Sequence, residues 1–247
     1  MHRFVLPVCT LLMSVALRAV AADSPAAPAA DAPARKLFHV VAVKFKEGAT
    51  KEQIGDVEKA FAALKEKIPG ILSLDWGTNS SPEKLNKGFT HCFVLTFASE
   101  GDRDDYLTHA EHKAFGAVLG PVRDDVMVID FWTEPTPAAA PTGDAVAAKL
   151  FHVVSFQFKE RATKDQIAEI EKAFGELKTK IPNVVHLNWG TNISPEHKNM
   201  GFTHCFVLNF PNDAARDTYL THPAHQAFVA ILLPVMKEAM VIDFQSK

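Results

Sequence analysis

The spacing of apolar side chains in the first half of the chain changes in a fixed order, and each change predicts a new element. Residues 37–45 form an apolar run rich in Val and Phe, which predicts a strand buried on both faces. Thr50 and Gln53 form a capping-box pattern that predicts the start of a helix, and Pro69 ends it. The helix presents one apolar stripe, made of Ile54, Val57, Phe61, Leu64 and Ile68.

The remaining elements of this half follow the same reasoning. Apolar runs predict strands over 71–76, 89–97 and 127–131, and a polar loop occupies 78–87. A helical pattern in two pieces covers 102–119, before the last strand. The resulting order, β-α-β-β-α-β, is the ferredoxin-like arrangement, an α+β fold with helices on one face of a four-stranded sheet.

The whole pattern occurs twice. The hexapeptide that begins at Lys36 recurs at Lys149, and the match continues without a gap, with roughly 60 % of positions identical. Two copies make a duplication and not a solenoid, whose units need three or more neighbours. We therefore predict two repeats, 36–132 and 149–247, joined by a Pro/Ala-rich linker over 133–148.

The strands of each repeat carry apolar side chains on both faces, as Phe38, Val40, Phe93 and Leu95 show. Successive strand side chains point to opposite faces, and the helices of one repeat cover only one of them. We expect the other repeat to cover the second face, sheet against sheet. This predicts an intramolecular pseudo-dimeric α+β barrel and a monomeric chain, because the second repeat already supplies the partner.

The N-terminal residues have the pattern of an export signal. A basic start, an apolar core and a small-residue cleavage site predict a signal peptide over 1–22, followed by a disordered Ala/Pro-rich lead over 23–35. Pro7 disfavours a buried N-terminal helix as the alternative. We expect a secreted or periplasmic protein. No other segment approaches the roughly 18 apolar residues of a membrane span, so we expect no membrane association of the mature form.

The charge pattern argues against nucleic acid as a partner. The formal net charge is −3, and the basic residues form no run or stripe that would neutralise successive phosphates. The 47 % hydrophobic and 22 % charged residues are ordinary for a globular protein with a packed core.

Several short segments recur in the same order in both halves. In the first half they are His39, the Lys-Phe-Lys at 44–46, the Trp-Gly-Thr-Asn at 76–79, the Gly-Phe-Thr-His at 88–91, 106–112 and the Val-Ile-Asp-Phe at 128–131. The second half has His-Pro-Ala-His at 222–225. Together these segments resemble the stress-responsive A/B barrel family, whose members form α+β barrels from two ferredoxin-like units.

This resemblance implies a fold more than a chemistry. The family includes plant stress-induced proteins without assigned chemistry and a polyketide cyclase of the olivetolic acid cyclase type, which closes a ring by intramolecular aldol condensation. Its members are ordinarily cytosolic homodimers. The present chain departs from them in its tandem fusion and its predicted export signal.

His112 and His225 are the candidate general bases, because an imidazole titrates near neutral pH and can take and return a proton alpha to a carbonyl. Tyr106 and Tyr219 are the candidate donors to the developing oxyanion. The resemblance implies the same roles, since the cyclising members rely on a His and a Tyr at these positions. The alternative is a helix-terminal His with a Tyr packed on the sheet, without catalysis.

The second repeat is the better catalytic candidate. Six residues apart on a straight helix, the Tyr and His would point about 120° apart. Pro223 predicts a helix break that removes this problem, whereas Ala110 leaves the break in the first repeat undetermined. We expect Tyr219 and His225 within about 7 Å of each other at the rim of a cavity, with His204 or His152 facing it.

Histidines within the apolar strands allow two interpretations, ligand binding in a cavity or burial with a hydrogen-bond partner. They are His39, His91, His152 and His204. His109 and His222 are expected to be helix caps or surface groups. The chain has no Cys-x-x-Cys or His-Glu-x-x-His run, so we predict no metal and no cofactor. Cys92 and Cys205, at equivalent mid-strand positions, are expected to be buried thiols.

Two functional hypotheses follow. The first is an exported protein that binds a small, apolar carbonyl compound in one or two barrel cavities, with lyase or cyclase acid/base chemistry. The second is a non-catalytic stress-response or structural module with a filled barrel. A cavity of a few hundred Å³ beside His112 or His225 would favour the first.

Overall fold

The computed structural model describes residues 35–133 and 149–247. The predicted signal peptide, nearly all of the Ala/Pro-rich lead and nearly all of the linker lie outside these residues. Within the described part, no helix has both the length and the apolar character that crossing a membrane requires.

The first repeat has four strands and two helical regions, and each helical region is interrupted once. Its elements are β1 (Leu37–Phe45), α1 (Lys51–Ala62), α2 (Leu64–Lys67), β2 (Ser73–Thr78), β3 (His91–Phe97), α3 (Glu100–Thr108), α4 (Ala110–Leu119) and β4 (Arg123–Trp132). The second repeat follows the same order with β5 (Leu150–Phe158), α5 (Lys164–Gly175), α6 (Leu177–Lys180), β6 (His186–Thr191), β7 (His204–Phe210), α7 (Asp213–Thr221), α8 (Pro223–Leu232) and β8 (Met236–Gln245).

Local signals place each predicted element within a few residues of its observed bounds, although the helix predicted up to Pro69 is divided into α1 and α2. The capping box forms as predicted, with the Thr50 hydroxyl accepting from the Gln53 amide at 3.3 Å and the Gln53 side chain accepting from the Thr50 amide at 2.9 Å. Strand β4 is longer than its apolar run because β1 pairs with it along its whole length, from Leu37 opposite Trp132 to Phe45 opposite Arg123. The hydrogen-bonded ladder thus extends the strand into residues that sequence polarity assigns to a loop.

Each repeat forms one antiparallel sheet, in the order β2-β3-β1-β4 for the first and β6-β7-β5-β8 for the second. Along β1, Leu37, Val41 and Val43 pack against the helices of their own repeat. The alternate side chains, such as Phe38 and Val40, point to the other sheet. The alternation of side chains along a strand therefore serves two separate cores.

A single apolar core lies between the two sheets and confirms that the repeats pack sheet to sheet. Its residues come from both repeats: Phe38, Val40, Ala42, Phe89, Cys92, Val94, Met127, Ile129, Phe131, Phe151, Val153, Phe202, Cys205, Val207, Met240, Ile242 and Phe244. Cys92 and Cys205 are buried here as free thiols. Burial raises the pKa of Cys205 to about 12, which makes this thiol a poor nucleophile.

The Trp-Gly-Thr-Asn segments close the barrel. A Cβ atom on Gly77 would lie 2.6 Å from the Gln245 carbonyl oxygen and 2.9 Å from the Cβ of Phe244. A Cβ on Gly190 would lie 2.7 Å from the Trp132 carbonyl oxygen. Only glycine permits this approach of each second strand to the last strand of the other repeat.

The loops after these segments cross from one repeat to the other. The side-chain oxygen of Asn79 accepts from the Asp243 amide at 3.1 Å, and the Ser80 amide donates to the Asp243 carbonyl at 2.8 Å. Asn192 and Ile193 make the equivalent bonds to Asp130. We call residues 79–90 and 192–203 the crossing loops.

Candidate functional site

The helix break that the candidate site needs is present in both repeats. His109 has an extended backbone, with φ −62° and ψ 143°, and its Nδ1 accepts from the Glu111 amide at 3.2 Å. His222 does the same for the Ala224 amide at 3.1 Å. The first repeat breaks without a proline, because the histidine side chain caps the new helix. Pro223 reinforces a break that the cap alone produces.

This break brings the candidate Tyr and His together. The ring centroids of Tyr106 and His112 are 4.4 Å apart, and those of Tyr219 and His225 are also 4.4 Å apart. Both distances lie within the predicted limit of about 7 Å. The two repeats are therefore geometrically equivalent at this point, and the first is not distorted by Ala110. The catalytic roles of the four residues stay a prediction.

The tautomer of the candidate base follows from its hydrogen bond. The Nδ1 of His225 lies 3.1 Å from the Leu220 carbonyl oxygen, and the Nδ1 of His112 lies 3.2 Å from that of Leu107. A carbonyl oxygen only accepts, so Nδ1 carries the proton in each case. In the neutral ring, Nε2 then has the free lone pair and is the atom that can take a proton.

The electrostatic environment keeps this imidazole neutral. Burial lowers the pKa of His225 below its ordinary value, against the opposing effect of the bond to Leu220, and nearby His152 and His222 lower it further. The pKa of His112 is lowered by burial in the same way. Both rings are therefore in the base form at neutral pH.

The ring of each candidate tyrosine also packs against a second histidine. The rings of His39 and Tyr106 are 5.5 Å apart, and those of His152 and Tyr219 are 5.7 Å apart. Thus His39 and His152, which the sequence assigned to ligand binding, lie in the same clusters as the candidate catalytic residues. Tyr219 is only 1 % exposed, so its hydroxyl is shielded from bulk water.

A carboxylate and an arginine hold this second histidine. The Nδ1 of His152 lies 2.6 Å from Oδ1 of Asp243, whose Oδ2 accepts from Nη1 of Arg216. His39, Asp130 and Arg103 form the same network, with 2.7 Å between His39 and Asp130. Sequence reasoning missed both the Asp and the Arg. One signal was visible, a charged residue inside the apolar Val-Ile-Asp-Phe strand.

Charge pairing outweighs burial within this network. Burial raises the pKa of Asp243, but His152 and Arg216 lower it more, so the carboxyl group stays ionised. Burial lowers the pKa of His152, yet Asp243 raises it above the ordinary value. The pKa of His152 is therefore shifted towards the protonated form and the pKa of His225 towards the neutral form. Their different partners separate the pKa values of the two rings.

Each cluster also receives a carboxyl group from the other repeat. Glu83, on the first crossing loop, places Oε1 4.0 Å from Nδ1 of His152. Burial raises the pKa of Tyr106, and the charge of Glu196, on the second crossing loop, raises it further. The candidate sites are therefore composite, although each Tyr–His pair belongs to one repeat.

His91 and His204 lie outside these clusters. The ring of His204 contacts Glu171 at 3.0 Å through Nε2 and Thr203 at 2.8 Å through Nδ1. His91 has the equivalent partners, Glu58 and Thr90. His91 lies opposite Val43 in the ladder between β3 and β1. Val43 is four residues along β1 from His39, which corresponds to about 13 Å along the strand. Both ring nitrogens of each of these histidines have a hydrogen-bond partner, which is what the second interpretation, burial with a hydrogen-bond partner, requires.

The position of the candidate site differs from the expected barrel cavity. The space between the two sheets is filled by the shared core, and the Tyr–His clusters lie on the helix side of each sheet. Two surface depressions, of about 200 and 490 Å³, lie beside Pro234 and beside His186, and neither is lined by His112 or His225. Both of these histidines are half-buried, so a ligand would approach along the helix layer.

No group of three His, Cys, Asp or Glu side chains in the described ranges is arranged to hold a metal ion. His109 caps α4, which is one of the two roles expected for it from the sequence.

Comparisons with known proteins match each repeat separately. The sequence profile of the family described as Stress responsive A/B Barrel Domain matches residues 37–133 and 150–246. The stress-response A/B barrel domain-containing protein HS1 of Arabidopsis thaliana is 34 % identical over 93 residues, which are 38 % of this chain and 85 % of that protein. Olivetolic acid cyclase of Cannabis sativa is 28 % identical over 93 residues, 38 % of this chain and 92 % of that protein.

A solved structure matches both repeats at once. A putative monooxygenase from Fusobacterium nucleatum subsp. nucleatum ATCC 25586 superposes with a TM-score of 0.61 at 12 % identity, over 86 % of this chain and 93 % of that chain. At this identity the likeness concerns the fold alone. It shows that two ferredoxin-like units in one chain form a known architecture.

Proposed function

The chain belongs to the stress-responsive A/B barrel family, and from this premise we propose that it binds a small, largely apolar carbonyl compound and performs lyase or cyclase acid/base chemistry on it. The observation that carries the proposal is the contact between Tyr219 and His225, together with its copy in the first repeat. A neutral imidazole with a free Nε2 beside a phenol is the pair that enolisation requires.

The proposed reaction uses each group in the state that its environment favours. Nε2 of His225 takes a proton alpha to the substrate carbonyl, and the electrons of the broken C–H bond form an enolate. Burial raises the pKa of Tyr219, so its hydroxyl stays protonated and donates a hydrogen bond to the enolate oxygen. The enolate carbon then attacks a second carbonyl or expels a leaving group, and the imidazolium of His225 returns the proton to that oxygen or leaving group.

The charge network behind the tyrosine supports this chemistry. His152 is held by Asp243, and its raised pKa favours the imidazolium form beside Tyr219. A fixed positive charge near the developing oxyanion stabilises it without reorganisation of water. The similarity to olivetolic acid cyclase, a named cyclase, supports the same class of reaction.

The alternative is a non-catalytic stress-response or structural module. It is favoured by the filled core between the sheets and by the 1 % exposure of both tyrosines. Under this alternative the Tyr–His contact serves packing of the sheet against α7 and α8. Direct measurement of proton abstraction distinguishes the two functions.

The test is enzyme-catalysed exchange of alpha hydrogens for deuterium in small methyl ketones and 1,3-diketones, followed by NMR in D₂O. We expect exchange above the buffer rate, and His225→Ala combined with His112→Ala should lower it 10²-fold or more. His186→Ala, at an exposed position on β6, is the matched control and should retain full exchange. Absence of catalysed exchange with every probe, or full exchange in the double variant, would establish the non-catalytic alternative.

We also propose that the mature protein is exported and monomeric. The proposal rests on the sequence pattern at residues 1–22 and on the second repeat covering the sheet face that a partner would otherwise cover. N-terminal sequencing of protein from an exporting host should find a start near Asp23 rather than Met1. Light scattering should give the mass of one chain, and a stable dimer would contradict intramolecular pairing.

A further inference from the structure

Each crossing loop brings a glutamate carboxyl group to the site of the other repeat, and the two carboxyl groups have different partners. We propose that Glu83, supplied by the first repeat, is a positioning residue that controls the charge of His152 in the second repeat, whereas the equivalent Glu196 is ion-paired with Lys198. This inference rests on the proposed function. It assigns the pH response of each site to a residue of the opposite repeat.

The fold holds Glu83 in place across the repeat boundary. Its crossing loop is fixed at one end by Asn79 on the Asp243 amide and at the other by an ion pair between Lys87 and Glu238. Between these anchors, Oε1 of Glu83 lies 4.0 Å from Nδ1 of His152. The position of this carboxyl group is therefore set by the second repeat, although the first encodes it.

Glu83 has unused hydrogen-bonding capacity. Among the described residues, three side-chain oxygens are buried without a hydrogen-bond partner, and two of them belong to this loop, Oε1 of Glu83 and Oγ of Ser81. Buried polar atoms without partners are rare and costly in folded proteins. In the second crossing loop, Oγ of Ser194 does accept a bond, from the Glu196 amide at 3.5 Å. The two oxygens without a partner, on Ser81 and Glu83, therefore lie on the crossing loop that reaches the second site.

Among the described residues, the groups that act electrostatically on Glu83, or on which its charge acts, belong to the second repeat. They are His152 on β5, Asp243 on β8, and Arg216 and Tyr219 on α7. Burial raises the pKa of Glu83 above its ordinary value, and Asp243 adds to the shift, against His152 and Arg216. Its ionisation in turn raises the pKa of His152. As pH rises, Glu83 loses its proton and its charge helps His152 to keep one.

The first site differs because its carboxyl group already has a cation. Nζ of Lys198 lies 2.8 Å from Oε2 of Glu196, and Leu85 occupies the position equivalent to Lys198 in the first crossing loop. The charge of Lys198 also lowers the pKa of His112. One Leu/Lys difference thus separates a site with a free carboxyl group from a site with a paired one.

The test is an NMR titration of the histidine rings in the full chain, with Glu83→Gln and Glu196→Gln as the matched pair. Glu83→Gln should lower the pKa of His152, and Glu196→Gln, beside the other site, should leave it unchanged. Leu85→Lys supplies Glu83 with the cation that Lys198 gives Glu196 and should also lower the pKa of His152, and Lys198→Leu should raise the pKa of His112. Leu85 is 42 % exposed and Lys198 is also exposed, so both variants should fold.

Two results would overturn the inference: a His152 titration that Glu83→Gln leaves unchanged, or one that Leu85→Lys leaves unchanged. The titration needs no substrate, so it succeeds or fails independently of the proposed reaction. If deuterium exchange is catalysed, Glu83→Gln in a His112→Ala background, where only the second site is left, should lower the exchange rate about 10-fold and move its pH optimum. This loss is smaller than the loss of the proton carrier itself would cause. Unchanged exchange and an unchanged optimum would contradict the positioning role.

Discussion

The two repeats have kept the same Tyr–His contact and the same Asp–Arg–His network, but they differ in what they donate to each other. Both Tyr–His pairs have ring centroids 4.4 Å apart. In contrast, the crossing loops carry Leu85 in the first repeat and Lys198 in the second. Residues that build a site within one repeat are conserved between the two copies. The glutamate that reaches into the neighbouring site is also the same in both copies, as Glu83 and Glu196, but the loop position that supplies its cation differs.

The largest expected effect tests whether the buried networks are equivalent. Asp130→Asn and Asp243→Asn should each lower the free energy of unfolding by about 3–5 kcal/mol, because each leaves a buried arginine and histidine without their anion. Urea denaturation of the full chain measures the loss. Asp56→Asn, on the exposed face of α1, is the control and should change little. Unequal losses in the two repeats would show that the networks are not equivalent.

The same variants give a signed pH prediction. The pKa of Asp130 and that of Asp243 are lowered on folding, so their contribution is present above the unfolded carboxyl pKa of about 3.9. It is lost as pH falls through the still lower pKa values of the folded state. Acid denaturation of the wild-type chain should show this loss, and each Asn variant should show less of it. An acid transition unchanged in the variants would contradict the assignment.

The second expected effect tests the closure of the barrel. Gly77→Ala and Gly190→Ala should each destabilise the chain by about 1–3 kcal/mol, since the new Cβ meets backbone atoms of the other repeat. Gly55→Ala is the matched control in α1, where a Cβ would have no neighbour within 4 Å. That change should stabilise the chain by about 0.5–1 kcal/mol. Thermal unfolding distinguishes the outcomes, and a neutral Gly77 variant would mean that the two second strands do not close the barrel.

The smallest expected effect concerns the helix break. Ala110→Pro should stabilise the first repeat by about 0.4–1 kcal/mol, because His109 already has the extended backbone that precedes a proline. Pro223→Ala should cost the second repeat a similar amount. The distance between Tyr and His should stay the same in both, since the histidine caps maintain the break. NMR contacts between the Tyr and His rings would detect a failure of this expectation.

The sequence predicted the fold well because the signals involved are local. The capping box at Thr50, the alternation along β1 and the duplication at Lys149 each involve neighbouring residues or a simple repeat. The sequence left the helix break in the first repeat undetermined, because a histidine acts as a cap only when its ring turns back to the Glu111 amide. Without a proline, that local geometry has no distinct sequence pattern.

The sequence by itself determined the two ferredoxin-like repeats, their sheet-to-sheet packing and the candidate His and Tyr residues. Only the tertiary structure decided which side chains join them. His39 and Asp130 are 91 residues apart, and Glu83 meets His152 across the repeat boundary. Side chains so distant along the chain come together only through strand pairing and the packing of the two sheets. Hydrophobic periodicity defines which face of an element is buried, but it does not define which polar groups meet there.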